Sequence, residues 1–92
     1  MISLHLRNRE WDAAKLRLLE ALELQEKISG KLHGDVGQIC NNLGLLYGVQ
    51  DQQKEAQAYF ERALNIFRAK YGLGHIYTMT CERNIEDLKA NR

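Results

Sequence analysis

The chain has 92 residues, 45% of them apolar and 27% charged, which suits one modest globular unit and no more. Thirteen Lys plus Arg against twelve Asp plus Glu leave a net charge of +1, so the basic excess of an electrostatic nucleic-acid binder is missing. No apolar run nears the ~20 residues of a membrane span, and the opening residues show no basic region followed by an apolar run, so neither a membrane segment nor a secretory signal is expected.

Taken in order, the elements read as helices. Proline is absent, and Leu, Ala, Glu, Gln and Arg are abundant; these residues lose little freedom in a helix. Ile2 to Arg7 look like the end of a helix whose beginning is missing. From Glu10 to Ser29, Trp11, Ala14, Leu18, Ala21, Leu22 and Ile28 keep the three-and-four spacing of an amphipathic helix. Gly30 is placed to end it, before a short loop of Lys31, Leu32, His33 and Gly34. Asp35 is expected to cap the next helix, with Gln38 as its capping-box partner. That helix runs to about Val49 through Ile39, Cys40, Leu43, Leu46 and Tyr47. Asp51 and Gln52 turn the chain. The next helix spans Gln53 to Lys70, with Ala56, Phe60, Ala63, Leu64 and Phe67 inward. Gly72 to His75 repeat the loop, and a last helix covers Tyr77 to Ala90.

A shift of 42 residues aligns the sequence with itself. Ala14 meets Ala56, Ala21 meets Ala63, Leu22 meets Leu64, Gly30 meets Gly72, His33 meets His75 and Asn42 meets Asn84. Leu4 meets Leu46, which meets Leu88. Leu24 meets Ile66, and Leu43 meets Ile85. The matched residues are mostly small or apolar, as a repeated packing unit requires. Alanines at 14, 21, 56 and 63, with Gly44, let paired helices approach where a larger side chain would hold the axes apart.

Cys40, Leu43, Gly44, Tyr47, Ala56, Phe60 and Ala63 fall at the spacing of the tetratricopeptide signature, so the chain resembles that family, whose usual period is about 34 residues. The 42-residue period, the run Asn41 to Tyr47, the helix Glu55 to Ile66 and the loop Gly30-x-x-His33-x-Asp35-Val36 resemble its longer kinesin-light-chain type. Gly34 and Ile76 stand where that type usually has proline. The resemblance implies an all-α fold, an α-α superhelix or tetratricopeptide-like solenoid of antiparallel helical hairpins, right-handed, with about five helices. Residues 1–92 form a single domain in this reading, with an incomplete first repeat at 1–32, a second repeat at 35–74 and a C-terminal capping helix at 75–92. Glu82, Glu86 and Lys89 replace the residues that would pack against a following hairpin, while Cys81, Ile85 and Leu88 face backward, as expected of a solvating cap.

The resemblance implies a non-catalytic protein–protein interaction module that binds a partner protein or peptide in a concave groove, as part of a larger scaffold or adaptor. By register, Gln38, Asn41, Leu45, Gly48 and Val49 face the groove, with Thr80, Arg83 and Asp87 from the cap and Ser3, Leu6 and Arg7 from the first helix. Asn41 matches the family's groove asparagine, whose amide can hold a peptide backbone. Arg83 and Arg7 are suited to an acidic ligand residue. One alternative is a self-associating homodimer through an apolar N-terminal end made by Ile2, Leu4, Leu16 and Leu19. Another is a set of accessory repeats in a motor adaptor or a nucleotide-dependent sensor.

Chemistry finds no foothold. His33 and His75 lie in separate loops without further ligands at metal-site spacing, and are read as residues that cap or pack against a helix. Cys40 occupies a signature core position and reads as a small buried hydrophobe. Trp11 reads as a packing residue. No nucleophile pattern or phosphate loop is present, so no cofactor, metal or catalytic residue is assigned. Two widely spaced cysteines suit free thiols in a reducing, cytoplasmic setting.

Overall fold

A computed structural model describes residues 8–90 of the chain; the expected first helix, at Ile2 to Arg7, lies outside them. Four helices follow one another: α1 (Asn8–Ser29), α2 (Gly34–Val49), α3 (Gln53–Tyr71) and α4 (Ile76–Ala90). No strand occurs among the described residues. The expected boundaries hold to within two residues, the usual uncertainty of frayed ends.

The helices pack in sequence: α1 on α2, α2 most extensively on α3, and α3 on α4. They fold back as antiparallel hairpins because the connections are too short for anything else. The shortest dimension is 20 Å, which is two helix diameters of about 10 Å. The molecule is therefore two layers thick. α2 and α4 touch lightly on one layer.

The core sits where the signature residues meet. Cys40, Leu43, Ala56, Ala63 and Phe60 are essentially removed from solvent, together with Val36, Ile66 and Phe67. Each large apolar side chain buried this way contributes about 1.5–3 kcal/mol. The small residues do what their size suggests. A Cβ added at Gly44 would come within 2.5 Å of the Phe60 ring, and one at Gly37 within 2.7 Å of the Phe67 ring. α2 thus lies against α3 at a separation that only glycine permits.

The loops repeat as the 42-residue period predicts. Gly30 and Gly72 both adopt the left-handed side of φ, at 86° and 85°, and their N–H groups donate to Glu26 O and Arg68 O. Positive φ is cheap only for glycine, which explains both residues.

Three expectations need correction. Asp35 does not cap α2. His33 is the N-cap, and its Nδ1 accepts the Asp35 N–H at 3.1 Å. His75 does the same one repeat later, accepting Tyr77 N–H at 3.1 Å. An imidazole reaches the second residue beyond it, so Asp35 falls inside the first turn, where its charge suits the helix N-terminus. The Asp35 carboxylate lies 3.6 Å from the same Nδ1. Second, Ile28 is not inward but 70% exposed, and Leu24 is 60% exposed although its repeat partner Ile66 is buried. Ile66 is covered by α2 at Gly37, whereas α1 has no preceding helix against it among the described residues. Third, Leu16 is exposed but Leu19 is partly buried against the core, because it lies beside Leu18 and Leu22 on the stripe facing α2.

Candidate functional site

α2 and α4 occupy equivalent places one period apart, and the space between them is a cleft of about 260 Å³. Its lining comes from α2 (Gly44, Leu45, Gly48, Val49), the following turn (Asp51), α3 (Gln53, Phe60) and α4 (Asn84, Asp87, Leu88). Leu45 and Leu88 are held from behind by the core, so they present fixed apolar surface. Gly48 keeps the floor open. A Cβ there would meet only Leu88 Cδ1 at 3.7 Å and Ala56 at 4.0 Å, ordinary contact distances.

The turn that closes α2 positions one rim of the cleft. Asp51 takes φ 60°, a conformation that Asp tolerates better than most residues. Its N–H donates to Gly48 O at 3.1 Å, and Gln52 N–H donates to Tyr47 O at 2.9 Å. Asp51 therefore stands at a defined place beside Gly48. The other rim is α4, where Asp87 and Asn84 are three residues apart and share a face.

The expected groove residues separate into two groups. Leu45, Gly48, Val49 and Asp87 come together in the cleft. Gln38, Asn41, Thr80 and Arg83 do not line it. Asn41 and Asn84 are joined instead, Asn84 Nδ2 donating to Asn41 Oδ1 at 3.0 Å. That bond ties α2 to α4 and leaves the two Asn41 Nδ2 protons for a partner. Arg83 and Thr80 are exposed on α4. Arg7, Ser3 and Leu6 lie outside the described residues, as do Ile2 and Leu4.

Asn84, Leu88, Asp51, Gln53 and Phe60 are lining residues that the sequence reading did not place in the groove. The repeat match of Asn42 with Asn84 and the backward reading of Leu88 held a partial signal. Nothing in the sequence shows that Asp51 reaches the same cleft as Asp87, since that depends on how far the turn swings toward α4.

The same C-terminal end of α2 is also tied to α1 by a polar cluster. Lys15 packs its stem on the inward stripe of α1, with its ammonium 4.6 Å from the centre of the Tyr47 ring and 2.9 Å from Gln52 Oε1. Gln50 Nε2 donates to Asp12 Oδ1 at 3.0 Å, which with Lys15 holds the Asp12 carboxyl below its ordinary pKa. Tyr47 stacks on Tyr59 at 5.5 Å between ring centres, and burial pushes the Tyr59 phenol above its ordinary pKa. The indole nitrogen of Trp11 is buried without a hydrogen-bond partner among the described residues, consistent with a packing role.

Among the described residues, both cysteines and both loop histidines are held in packing or capping contacts. Cys40 and Cys81 are buried free thiols, and burial raises both to about 11, so neither is poised as a thiolate. Cys81 Sγ donates to Phe60 O at 3.2 Å. His33 and His75 are occupied as caps. No group of three or more potential metal ligands occurs among the described residues, and no described helix is long and apolar enough to cross a membrane.

The family model for the tetratricopeptide repeat matches residues 1–69. No curated protein matches the chain.

Proposed function

Because this chain belongs to the tetratricopeptide repeat family, we propose that it holds an extended segment of a partner protein in the cleft between α2 and α4. Repeats of this family generally serve as non-catalytic interaction modules, and we assign the chain no reaction. One observation carries the groove reading: Leu45, Val49 and Leu88 converge on an open floor at Gly48, with amides and carboxylates around it. The volume falls below the ~300–1,000 Å³ usual for small-molecule sites and suits a side chain or two of a peptide. Asn41 adds free amide donors alongside.

The 42-residue spacing supports placing the chain with kinesin-light-chain-type arrays, as scaffold or adaptor repeats in a motor adaptor or a nucleotide-dependent sensor. Free buried thiols support a cytoplasmic setting. A photoreactive residue at Val49 tests the groove against one at Leu24 on the outer side of α1. Adducts with a partner from Val49 alone support it; adducts from Leu24 alone move binding to another surface.

Self-association is a second reading, favoured by one observation. Leu16, Leu24 and Ile28 expose 60–70% of their surface on α1. A second copy could cover them in an isologous contact. Light scattering across a concentration series tests it, and a monomer at every concentration sinks it.

A further inference from the structure

We infer that the α2–α4 cleft selects a partner segment in which an aliphatic side chain stands next to a lysine or arginine, an inference that rests on the groove reading above. The charge distribution carries it. Asp51 and Asp87 are the ionisable residues of the cleft lining, and both are acidic. Neither forms an ion pair among the described residues. Two other carboxylates are neutralised across helices: Glu26 by Arg62 at 2.9 Å and Glu82 by Arg68 at 3.2 Å. The two cleft acids thus line an apolar floor without an ion-pair partner among the described residues.

Position reinforces charge. Asp51 is held by its left-handed turn after α2 and Asp87 comes from α4, so the two carboxylates reach the lining from different elements. An apolar side chain seated on Leu45, Val49 and Leu88 places its neighbours in a peptide beside one or other carboxylate. A cation there gains an attraction, whereas an acidic neighbour meets like charge at both rims. Arg83 does not reverse this. It lies one turn from Asp87, outside the lining, and so gives α4 a basic-to-acidic polarity that would orient the segment. The acidic ligand that Arg83 suggested from sequence therefore fits the neighbouring stretch of the groove but not the cleft itself.

The test uses the full chain and three synthetic peptides of equal length: a Lys-Leu-Arg core, a Glu-Leu-Glu core, and a Lys-Ser-Arg core. Methyl resonances of Leu45, Val49 and Leu88 report cleft occupancy. The Lys-Leu-Arg peptide should shift them and bind roughly fivefold or more tightly than the Glu-Leu-Glu peptide at low salt, with the gap closing as salt is raised. The Lys-Ser-Arg peptide should leave the methyls unmoved. Asp51→Asn combined with Asp87→Asn should bring the two leucine peptides level; asparagine tolerates the left-handed turn and Asp87 is exposed, so the fold survives. Equal binding by the Glu-Leu-Glu peptide overturns the charge assignment while leaving the groove reading intact. Methyls that no peptide moves overturn this inference, and the Val49 photoadduct then decides separately whether the groove reading falls with it.

Discussion

Two glycines one turn apart on α2 give the sharpest check on the packing. Gly44 and Gly48 lie in the same helix, and alanine in place of either gains about 0.5–1 kcal/mol of helix propensity. At Gly48 the new methyl meets Leu88 Cδ1 at 3.7 Å and Ala56 at 4.0 Å, so nothing opposes that gain. At Gly44 it would sit 2.5 Å from two carbons of the Phe60 ring. Phe60 is 2% exposed and enclosed by the core, so the ring cannot swing aside. Overpacking of this kind costs about 1–3 kcal/mol. The net expectation is a stabilisation of about 0.5–1 kcal/mol for Gly48→Ala and a loss of about 1–2 kcal/mol for Gly44→Ala, taking the upper part of that cost against the propensity gain. For a domain of this size each kcal/mol moves the melting temperature by roughly 4–8 °C. Thermal melts followed by circular dichroism at 222 nm, the helical signal, with urea unfolding as a second measure, should move in opposite directions. Two shifts of the same sign would refute the claim that α2 approaches α3 at glycine-limited distance.

The other predictions concern caps, thiols, a buried hydroxyl and the outer face. His33→Ala should cost about 0.5–1 kcal/mol through loss of the cap on Asp35 N–H, and His33→Asp should restore most of it, both read from urea midpoints. Cys40 and Cys81 are raised to about 11 in the folded protein, above the ordinary 9, so the folded state holds more protons between those values. Stability should therefore be unaffected by these groups below about pH 9 and fall as pH rises toward 11, and native protein should resist alkylation until unfolded; rapid labelling at neutral pH would contradict this. Thr78→Val removes the hydroxyl that donates to Gly72 O at 2.8 Å and should lower stability by about 1 kcal/mol, despite valine filling the equivalent place at Val36. Leu16→Glu should leave the melting temperature within about 0.5 kcal/mol equivalent and abolish any concentration-dependent association, since the side chain is 60% exposed.

The departure from the family's loop pattern also gains a cause. Gly34, where the resemblance leads one to expect proline, is buried under Tyr71, and a Cβ built on it would run into the Tyr71 hydroxyl. Tyr71 in turn belongs to a ring cluster with Phe67, His75 and Tyr77, at centre distances of 4.5–6.0 Å. The loop gives up proline's rigidity and keeps a tyrosine packed across it. Ile76, at the matching place in the next loop, is exposed, and nothing in the structure explains its presence.

Helix positions, the loop glycines and the signature core were readable in the sequence. Each depends on interactions within one or two turns, or on a 42-residue repeat that reports the same packing twice. His33 shows the limit of that logic: an aspartate followed by glutamine looks like a cap, but the imidazole two residues earlier reaches the same N–H first. Ile28 shows another, because helical spacing says which residues share a face, not whether a neighbour covers it. Register alone also put Gln38, Asn41 and Arg83 in the same stretch of groove as Leu45 and Val49. The cleft was decided by tertiary structure. Its rims come from residues 36 positions apart, Asp51 and Asp87, brought to one opening by the turn after α2 and the lie of α4 across α3. Sequence determines a repeat because its periodicity is local; it does not determine a charge pattern across a groove, because Coulomb interaction depends on distances that only the packed helices set.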